Sequence, residues 1–494
     1  MKIDKQQNSL VWKVVASRLN KGLVMIHSQT TPGDLTLAFP WHLVLCWCVC
    51  CCLWNHSNQA RAQEPVATQR RSELIQSMGD EKLLDFVQQT TFEYFRTGAQ
   101  TNSKAALERI HFDGELSDQD SVVITTGGTG FGVMAIIVGI ERGFITRREG
   151  LEQLEQIVSF LERAERFNGV FPHWLDGNTG KTVPFSPDDD GADLVETSFL
   201  MQGLLCVRQY FQSGDADERK LAARVDKLWR EVRWDWHRGP NQEEVLYWHW
   251  SPKHSWKINF RIRGWNECLI TYVLACSSPT HAVPPAVYHS GWAEDGKIVG
   301  GPMSYGIELP LKHQGQDKSA GPLFWAHYSF LGLDPRGLKD KYADYWDANV
   351  RHARIHYEHC VANPKGFVGY GPNCWGLTAS YSPNFYAAHC PAEDLGVISP
   401  TAALASMPYL PTESLAALRH FKEDLGDKIL GKYGFYDAFS QQVNWYPQRY
   451  LAIDQGPIVV MIENHRSGLL WNLFMSAPEV QVGLKKMGME FKSR

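Results

Sequence analysis

The sequence runs to 494 residues, 44% of them hydrophobic, with 49 basic against 54 acidic side chains and a net charge of -5. A chain of that length buries one very large core or two ordinary ones, and a near-balanced charge with no long basic run argues against nucleic acid as a partner. The 18 tryptophans and 18 tyrosines supply flat amphipathic rings, which either fill a core or stack on sugar faces.

Residues 1–62 read as an export leader. Lys2, Lys5, Lys13, Arg18 and Lys21 precede the uncharged stretch Leu35 to Trp54, and Ala60-Arg61-Ala62 offers the small residues that signal cleavage requires. Pro40, His42 and five cysteines make this stretch a poor permanent anchor. The expectation is a periplasmic or secreted chain beginning near Gln63, with Met25 an alternative start. Leu43-Val44-Leu45-Cys46 loosely resembles a lipoprotein box, which leaves loose membrane attachment through a lipidated leader open. Residues 63–80 read as a flexible stretch and 81–494 as a single domain, since no low-complexity linker interrupts them. Cys46, Cys48, Cys50, Cys51 and Cys52 fall in the leader. Cys206, Cys268, Cys276, Cys360, Cys374 and Cys390 are scattered without a CxxC pair, which permits one or two disulfides and implies no framework.

From Glu81 onward helix follows helix. Leu83, Leu84, Phe86, Val87, Phe92, Tyr94 and Phe95 recur near the helical period, and Thr146 with Glu149 forms a capping box before Leu151, Leu154, Ile157, Val158 and Leu161. Further helices are predicted at 191–211, 217–233, 264–277, 322–333, 340–360, 412–425 and 456–475. Long loops rich in Gly, Pro and Trp separate them at 167–190, 234–262, 283–321 and 362–399, and long loops in a compact domain usually carry function. Helical pairs in succession point to an all-α architecture, one large toroid whose loops form a cleft.

Several motifs carry chemistry. Thr126-Gly127-Gly128-Thr129-Gly130-Phe131-Gly132 lacks the lysine of a phosphate loop and follows no βαβ strand, so its glycines are read as letting a helix start approach a neighbour or a ligand closely. With a helix starting near Gly191, Asp189, Asp193 and Glu196 fall on one stripe, where like charges repel unless a polyhydroxylated or cationic ligand justifies them. The alternative is an acidic cluster complementing the helix dipole with Asp190 as cap, which leaves Glu196 unexplained. Asp176-Gly177-Asn178-Thr179-Gly180 reads as a turn rather than a calcium loop. Glu267 enters an apolar helix beside Trp265, surroundings that favour the neutral carboxyl and suit a general acid; a helix-start cap is the alternative. Asp454 stands just before the apolar helix whose start Gly456 and Pro457 mark, with Glu463 inside that helix a weaker candidate. His352, His356 and His359 have metal-ligand spacing, but Arg351, Arg354 and Glu358 on the same helix make it read as a solvated face. Neither HExxH nor GxSxG is present.

Thr129-Gly130-Phe131-Gly132, Asp189-x-x-x-Asp193-x-x-Glu196, Gly264-Trp265-Asn266-Glu267, Tyr370 to Ser380, Pro400-Thr401-Ala402-Ala403 and Asp454-Gln455-Gly456-Pro457, in that order over about residues 80–490, resemble the bacterial glucoamylase-like family. Its characterised members include the β-1,2-glucanases of glycoside hydrolase family 144. The resemblance implies an (α/α)6 barrel, hydrolysis with inversion at the anomeric carbon, and Asp189, Asp193, Glu196, Glu267 and Asp454 as the functional acids. Where relatives usually carry an acidic residue after Thr378-Ala379-Ser380 this chain has Tyr381, and Glu393-Asp394-Leu395-Gly396 replaces a more usual Asp-Asp-Gly.

The expected activity is hydrolysis of a β-glucan, with β-1,2-glucan as substrate. Glu267 is the expected acid and Asp454 the expected base, with exchange of roles within the acidic set left open. Trp248, Trp250, Trp265, Trp375, Tyr370 and Tyr381 are the expected sugar-binding rings. Two tuned carboxyls suffice for this chemistry without metal or organic cofactor, and no obligatory protein partner is expected. Two alternatives stand beside it. One is a non-catalytic glycan-binding envelope protein, which Tyr381 keeps open; the other is a transglycosylase or phosphorolytic enzyme, for which Arg261, Arg263 and His254 are the nearby basic groups.

Overall fold

The computed structural model describes residues 79–114 and 120–492. The leader, its five cysteines and nearly all of the 63–80 stretch lie outside the described residues. Among the described residues, no helix is long and apolar enough to cross a membrane.

Two kinds of helix build the domain. Amphipathic helices lie outside: Asp80–Arg96, Arg147–Arg163, Ala216–Glu231, Pro411–Glu423 and Pro478–Lys486 each bury one stripe and leave charge on the other. Two of these five helices start with a side-chain cap. Thr146 and Glu149 form the predicted reciprocal box, and Asp215 with Glu218 forms a second. The inner helices Thr126–Glu141, Leu194–Phe211, Leu269–Ser277 and Ala452–Arg466 are buried on nearly every side, as helices without a polar face must be.

The inner segments form a closed circuit. Leu269–Ser277 packs on Leu194–Phe211, which packs on Thr126–Glu141, then Ala452–Arg466, then Pro400–Leu404. The turns Leu323–Ala326 and Tyr328–Phe330 close the ring, touching Leu269–Ser277 on one side. On the other, the Tyr409 hydroxyl donates to the Ala326 carbonyl at 2.9 Å, and His327 Nε2 meets Ser406 Oγ at 3.0 Å. The most extensive contact, between Thr126–Glu141 and Leu194–Phe211, depends on two glycines. A Cβ on Gly130 would lie 2.2 Å from the Phe199 carbonyl oxygen, and one on Gly203 would lie 2.1 Å from the Gly130 carbonyl oxygen. The glycine-rich segment thus serves the close helix approach read from it.

The predicted helices are found, with shifted limits. Residues 322–333 form two 3-10 turns, because the Gln202 side chain takes up their backbone groups: Nε2 donates to the Tyr328 carbonyl and Oε1 accepts from Gly332 N–H. The predicted 456–475 helix is two, Ala452–Arg466 and Leu469–Met475, broken at Gly468 with φ of 70°. The 340–360 helix runs Tyr345–Ala362, and its histidine face is not solvated. His352 and His356 are fully buried, each with Nε2 donating to the Gly321 carbonyl at 2.7 Å, and His359 Nε2 meets Asp394 Oδ2 at 2.8 Å. His352 and His356 thus pin the loop at 313–321, and His359 ties the helix to Asp394 and to the Tyr305 hydroxyl. The architecture is not purely helical either. The long loops carry strands of two or three residues, such as Arg109–His111 with Arg449–Leu451 and Val123–Thr125 with Trp174–Asp176. The six described cysteines are free and buried, so the disulfides that the sequence allowed are not formed among them.

Candidate active site

Four of the five acids singled out in the sequence sit where an inner helix begins, and there free N–H groups and the helix dipole favour negative charge. Asp193 caps Leu194–Phe211, its Oδ1 accepting from Val195 N–H at 3.0 Å and Glu196 N–H at 2.9 Å. Glu196, in the first turn, reaches the start of the adjoining helix and accepts from Gly127 N–H at 2.7 Å. Glu267 precedes Leu269–Ser277. Its carbonyl accepts from Ser329 Oγ, whose oxygen in turn accepts from Ile270 N–H at 3.0 Å. Asp454 lies in the first turn of Ala452–Arg466, its carbonyl accepting from Thr401 Oγ1 at 2.7 Å. The helix therefore starts before Asp454, not at Gly456-Pro457 as the sequence suggested; Pro457 sits inside it.

The helical stripe expected for Asp189, Asp193 and Glu196 is corrected in its geometry. Ala192-Asp193 pairs as a strand with His249-Trp250, so the helix begins at Leu194, and Asp189 arrives from a turn closed by Ser186. The three carboxyls still converge, around two histidines the sequence reading missed. His173 Nδ1 lies 2.8 Å from Asp193 Oδ2 and its Nε2 4.0 Å from Glu196 Oε1. His249 Nε2 lies 3.5 Å from Asp189 Oδ2 and 3.7 Å from Asp193 Oδ2. His249 lies in a strand of only two residues, His249-Trp250, too short for a local pattern to single it out.

Electrostatics sort these groups. Burial works against a charged His173, but Glu196, Asp193 and Asp189 outweigh it and raise the imidazole to about 10, so it is an imidazolium. Burial also works against ionised Asp193, yet His173 and backbone N–H groups hold it below the usual range. Burial raises Asp189 and Glu196, in each case with Asp193's charge adding to it. Burial pushes Glu267 to about 8, with Glu196 and Asp193 contributing, so it keeps its proton at neutral pH. His249 falls to about 4 through burial.

Asp454 is buried beside Asp437, a residue absent from the sequence reading although it is a lone acid in the apolar run Phe435 to Phe439. Asp437 Oδ2 accepts from Tyr381 N–H at 2.8 Å. Burial first, then Asp437, raises Asp454 well above the carboxylate range. The buried Tyr328 hydroxyl joins the two halves of the site, being within electrostatic range of Asp454 and Tyr386 on one side and of Glu196 and Glu267 on the other.

His173, Asp189 and Asp193 place ligand atoms within 4.8 Å of one another, a grouping with metal-ligand chemistry.

The aromatic residues divide. Trp248, against His249 and Phe260, and Trp250, against Phe167 and Trp236, are partly exposed. Trp265 and Trp375 are not: both are fully buried, Trp265 stacked on Tyr345 and Phe330 and Trp375 donating Nε1–H to the Glu413 carbonyl at 3.2 Å. Their rings fill the core behind the site. Tyr370 is tied to Asp394 Oδ1 at 2.7 Å. Tyr381 is buried, with its hydroxyl 2.8 Å from His111 Nε2 and Arg449 over its ring. Of the basic groups weighed for an anion pocket, Arg261 is held bidentately by Glu243 and Arg263 by the Ser290 and Gly291 carbonyls. A surface depression beside Arg208, Asp226 and Glu479 lies toward the far end of Leu194–Phe211, with Arg208 about 21 Å along the helix from Leu194.

With this geometry in place, comparisons with known proteins give a consistent picture. A family model described as "Putative glucoamylase" matches residues 259–478. The chain is 58% identical to the endo-β-1,2-glucanase from Chitinophaga pinensis, solved with sophorotriose and glucose, over 84% of this chain and 99% of that one, with a TM-score of 0.83. It is 46% identical over 430 residues to an exo β-1,2-glucooligosaccharide sophorohydrolase (non-reducing end) of Parabacteroides distasonis, covering 83% of this chain and 58% of that protein. This chain thus spans under two thirds of that curated relative. A β-1,2-glucanase structure from Parabacteroides distasonis is 45% identical over 83% of this chain and 60% of that one, with a TM-score of 0.78.

Proposed function

Since this chain belongs to the glucoamylase-like glycoside hydrolase family, we propose that it hydrolyses β-1,2-glucan with inversion, cutting inside the chain. What supports this reading is that Glu267 and Asp454, each buried at the start of an inner helix, are both within electrostatic range of the buried Tyr328 hydroxyl. The closed circuit of inner segments is read as the inner ring of an (α/α)6 barrel.

Glu267, still protonated at neutral pH, is the general acid that gives its proton to the leaving glycosidic oxygen. Asp454 is the base for water on the opposite face of the ring, directly or through a substrate hydroxyl. Inversion needs room for that water, with carboxyls roughly 6.5–9.5 Å apart or farther if a hydroxyl relays the proton. The ionised Asp193, fixed by His173 and by its own helix start, and Glu196 accept hydrogen bonds from sugar hydroxyls beside the scissile bond. Asp189 Oδ1, buried without a donor among the described residues, is a further acceptor for a hydroxyl. Trp248 and Trp250 stack on glucose rings farther along. End-to-end coverage of the endo-acting Chitinophaga enzyme favours internal cleavage. Export through the sequence leader is part of this reading, tested by cell fractionation.

Purified protein incubated with linear β-1,2-glucan, with β-1,3- and β-1,4-glucans as controls, tests the reading. New reducing ends on the β-1,2 polymer alone, without phosphate, as a ladder of oligosaccharides support it. Release of sophorose only means exo action. Binding without new ends, or dependence on phosphate, overturns hydrolysis as the activity.

A further inference from the structure

Asp437 has no part in the mechanism as given, yet it is buried in hydrogen-bonding contact with Asp454. One Asp437 oxygen is committed to Tyr381 N–H. The other, Oδ1, and Asp454 Oδ2 are buried without a donor among the described residues. Two touching carboxylates have only acceptors to offer each other, and a proton on either one supplies the missing donor.

We propose that Asp437 and Asp454 share a single proton and work as one base, with Asp437 the positioning residue that holds Asp454 and completes its hydrogen bonding. The proposal rests on Asp454 as the base. In the reaction, water loses a proton to the singly ionised pair as its oxygen bonds to the anomeric carbon; the pair then carries two protons, and Glu267 has given one to the leaving oxygen. Protons balance once the pair returns one to solvent and Glu267 is reprotonated.

The surroundings suit one negative charge. Burial, with Glu108 adding to it, raises Asp437 to about 6, while the hydrogen bonds from Asp454 and Tyr381 N–H and the charge of Arg449 favour its ionisation. The Tyr328 and Tyr386 hydroxyls are within electrostatic range of Asp454 and stay protonated, their ionisation opposed by burial first and then by Asp454. Tyr381, whose N–H holds Asp437, likewise keeps its phenol proton through burial.

The test uses the full-length enzyme with Asp437→Asn, Asp437→Ala and Asp454→Asn. Ionisation to the working monoanion leaves one carboxyl O–H donating to the other carboxylate. Removing that donor with Asp437→Ala should therefore move the acid limb of kcat/KM up by about one pH unit. Asp437→Asn keeps an N–H donor, so its acid limb should stay within about half a unit of the wild type. Infrared difference spectra at neutral pH, wild type minus Asp437→Asn, should show loss of one protonated-carboxyl band. This readout needs no turnover and survives if the Ala variant fails to fold. An unchanged carboxyl band, or an acid limb that falls in Asp437→Ala, would mean two independently ionised acids and would overturn the proposal. Equal rate losses in both variants without movement of the limb would mean a structural role only. An active Asp454→Asn would instead refute Asp454 as the base, whatever the spectra show.

Discussion

Replacing Glu267 by glutamine separates catalysis from stability in one experiment. The carboxyl rises from the ordinary 4.5 to about 8, chiefly through burial. Between those values the folded chain holds a proton that the unfolded chain has released, so stability is full below pH 4.5 and is lost as pH rises through about 8. At about 1.36 kcal/mol per pH unit, the wild type forgoes up to roughly 3 kcal/mol at pH 7 relative to a neutral isostere. Glu267→Gln should therefore be more stable than wild type at pH 7 and no more stable at pH 4. An unfolding entropy of about 2.1 cal/mol/K per residue over a domain of roughly 400 residues converts this to a Tm gain of about 3–4 °C. Turnover should fall by about 10²–10⁴, the usual worth of a general acid, while sugar binding survives. Differential scanning calorimetry at both pH values, with reducing-end assays at pH 7, reads all three quantities. A Tm gain of equal size at pH 4, or a fully active variant, would refute both the buried neutral carboxyl and its role as the acid.

Other substitutions probe the supporting structure. Loss of the imidazolium in His173→Asn strips the partner from buried Asp193 and should cost roughly 3–5 kcal/mol. Because the folded His173 value is raised to about 10, that stabilisation is complete below the ordinary 6.5 and disappears through about pH 10, so denaturant curves of the two proteins should approach each other at alkaline pH. A methyl group in Gly127→Ala would sit 2.6 Å from Glu196 Oε2; kcat should drop by about 10² as Glu196 is displaced. Gly203→Ala, away from the chamber, should instead destabilise by about 1–3 kcal/mol through overpacking against Gly130 and leave kcat of the folded enzyme intact, a split that parallel melting and rate measurements resolve.

What the sequence determined was local and periodic. Apolar spacing gave the amphipathic outer helices, Thr146 and Glu149 gave a real cap, and the apolar stretch around Glu267 signalled the burial that keeps its carboxyl neutral. The order of motifs carried the family, because side chains that meet one ligand keep their types even when their partners are remote in sequence. Tertiary structure decided the rest, since partners far apart in sequence leave no trace in local pattern. Strands of two or three residues show no alternation, so pairing with His249-Trp250 delayed the helix start to Leu194 and turned Asp193 from a stripe residue into a cap. Burial of His352, His356, Trp265 and Trp375 depends on which helices stack against them. The pairing of Asp437 with Asp454, and of His173 with Asp193, exists only because inner helix starts and loops meet at one end of the ring. There, exclusion of water lets neighbouring charges set each proton.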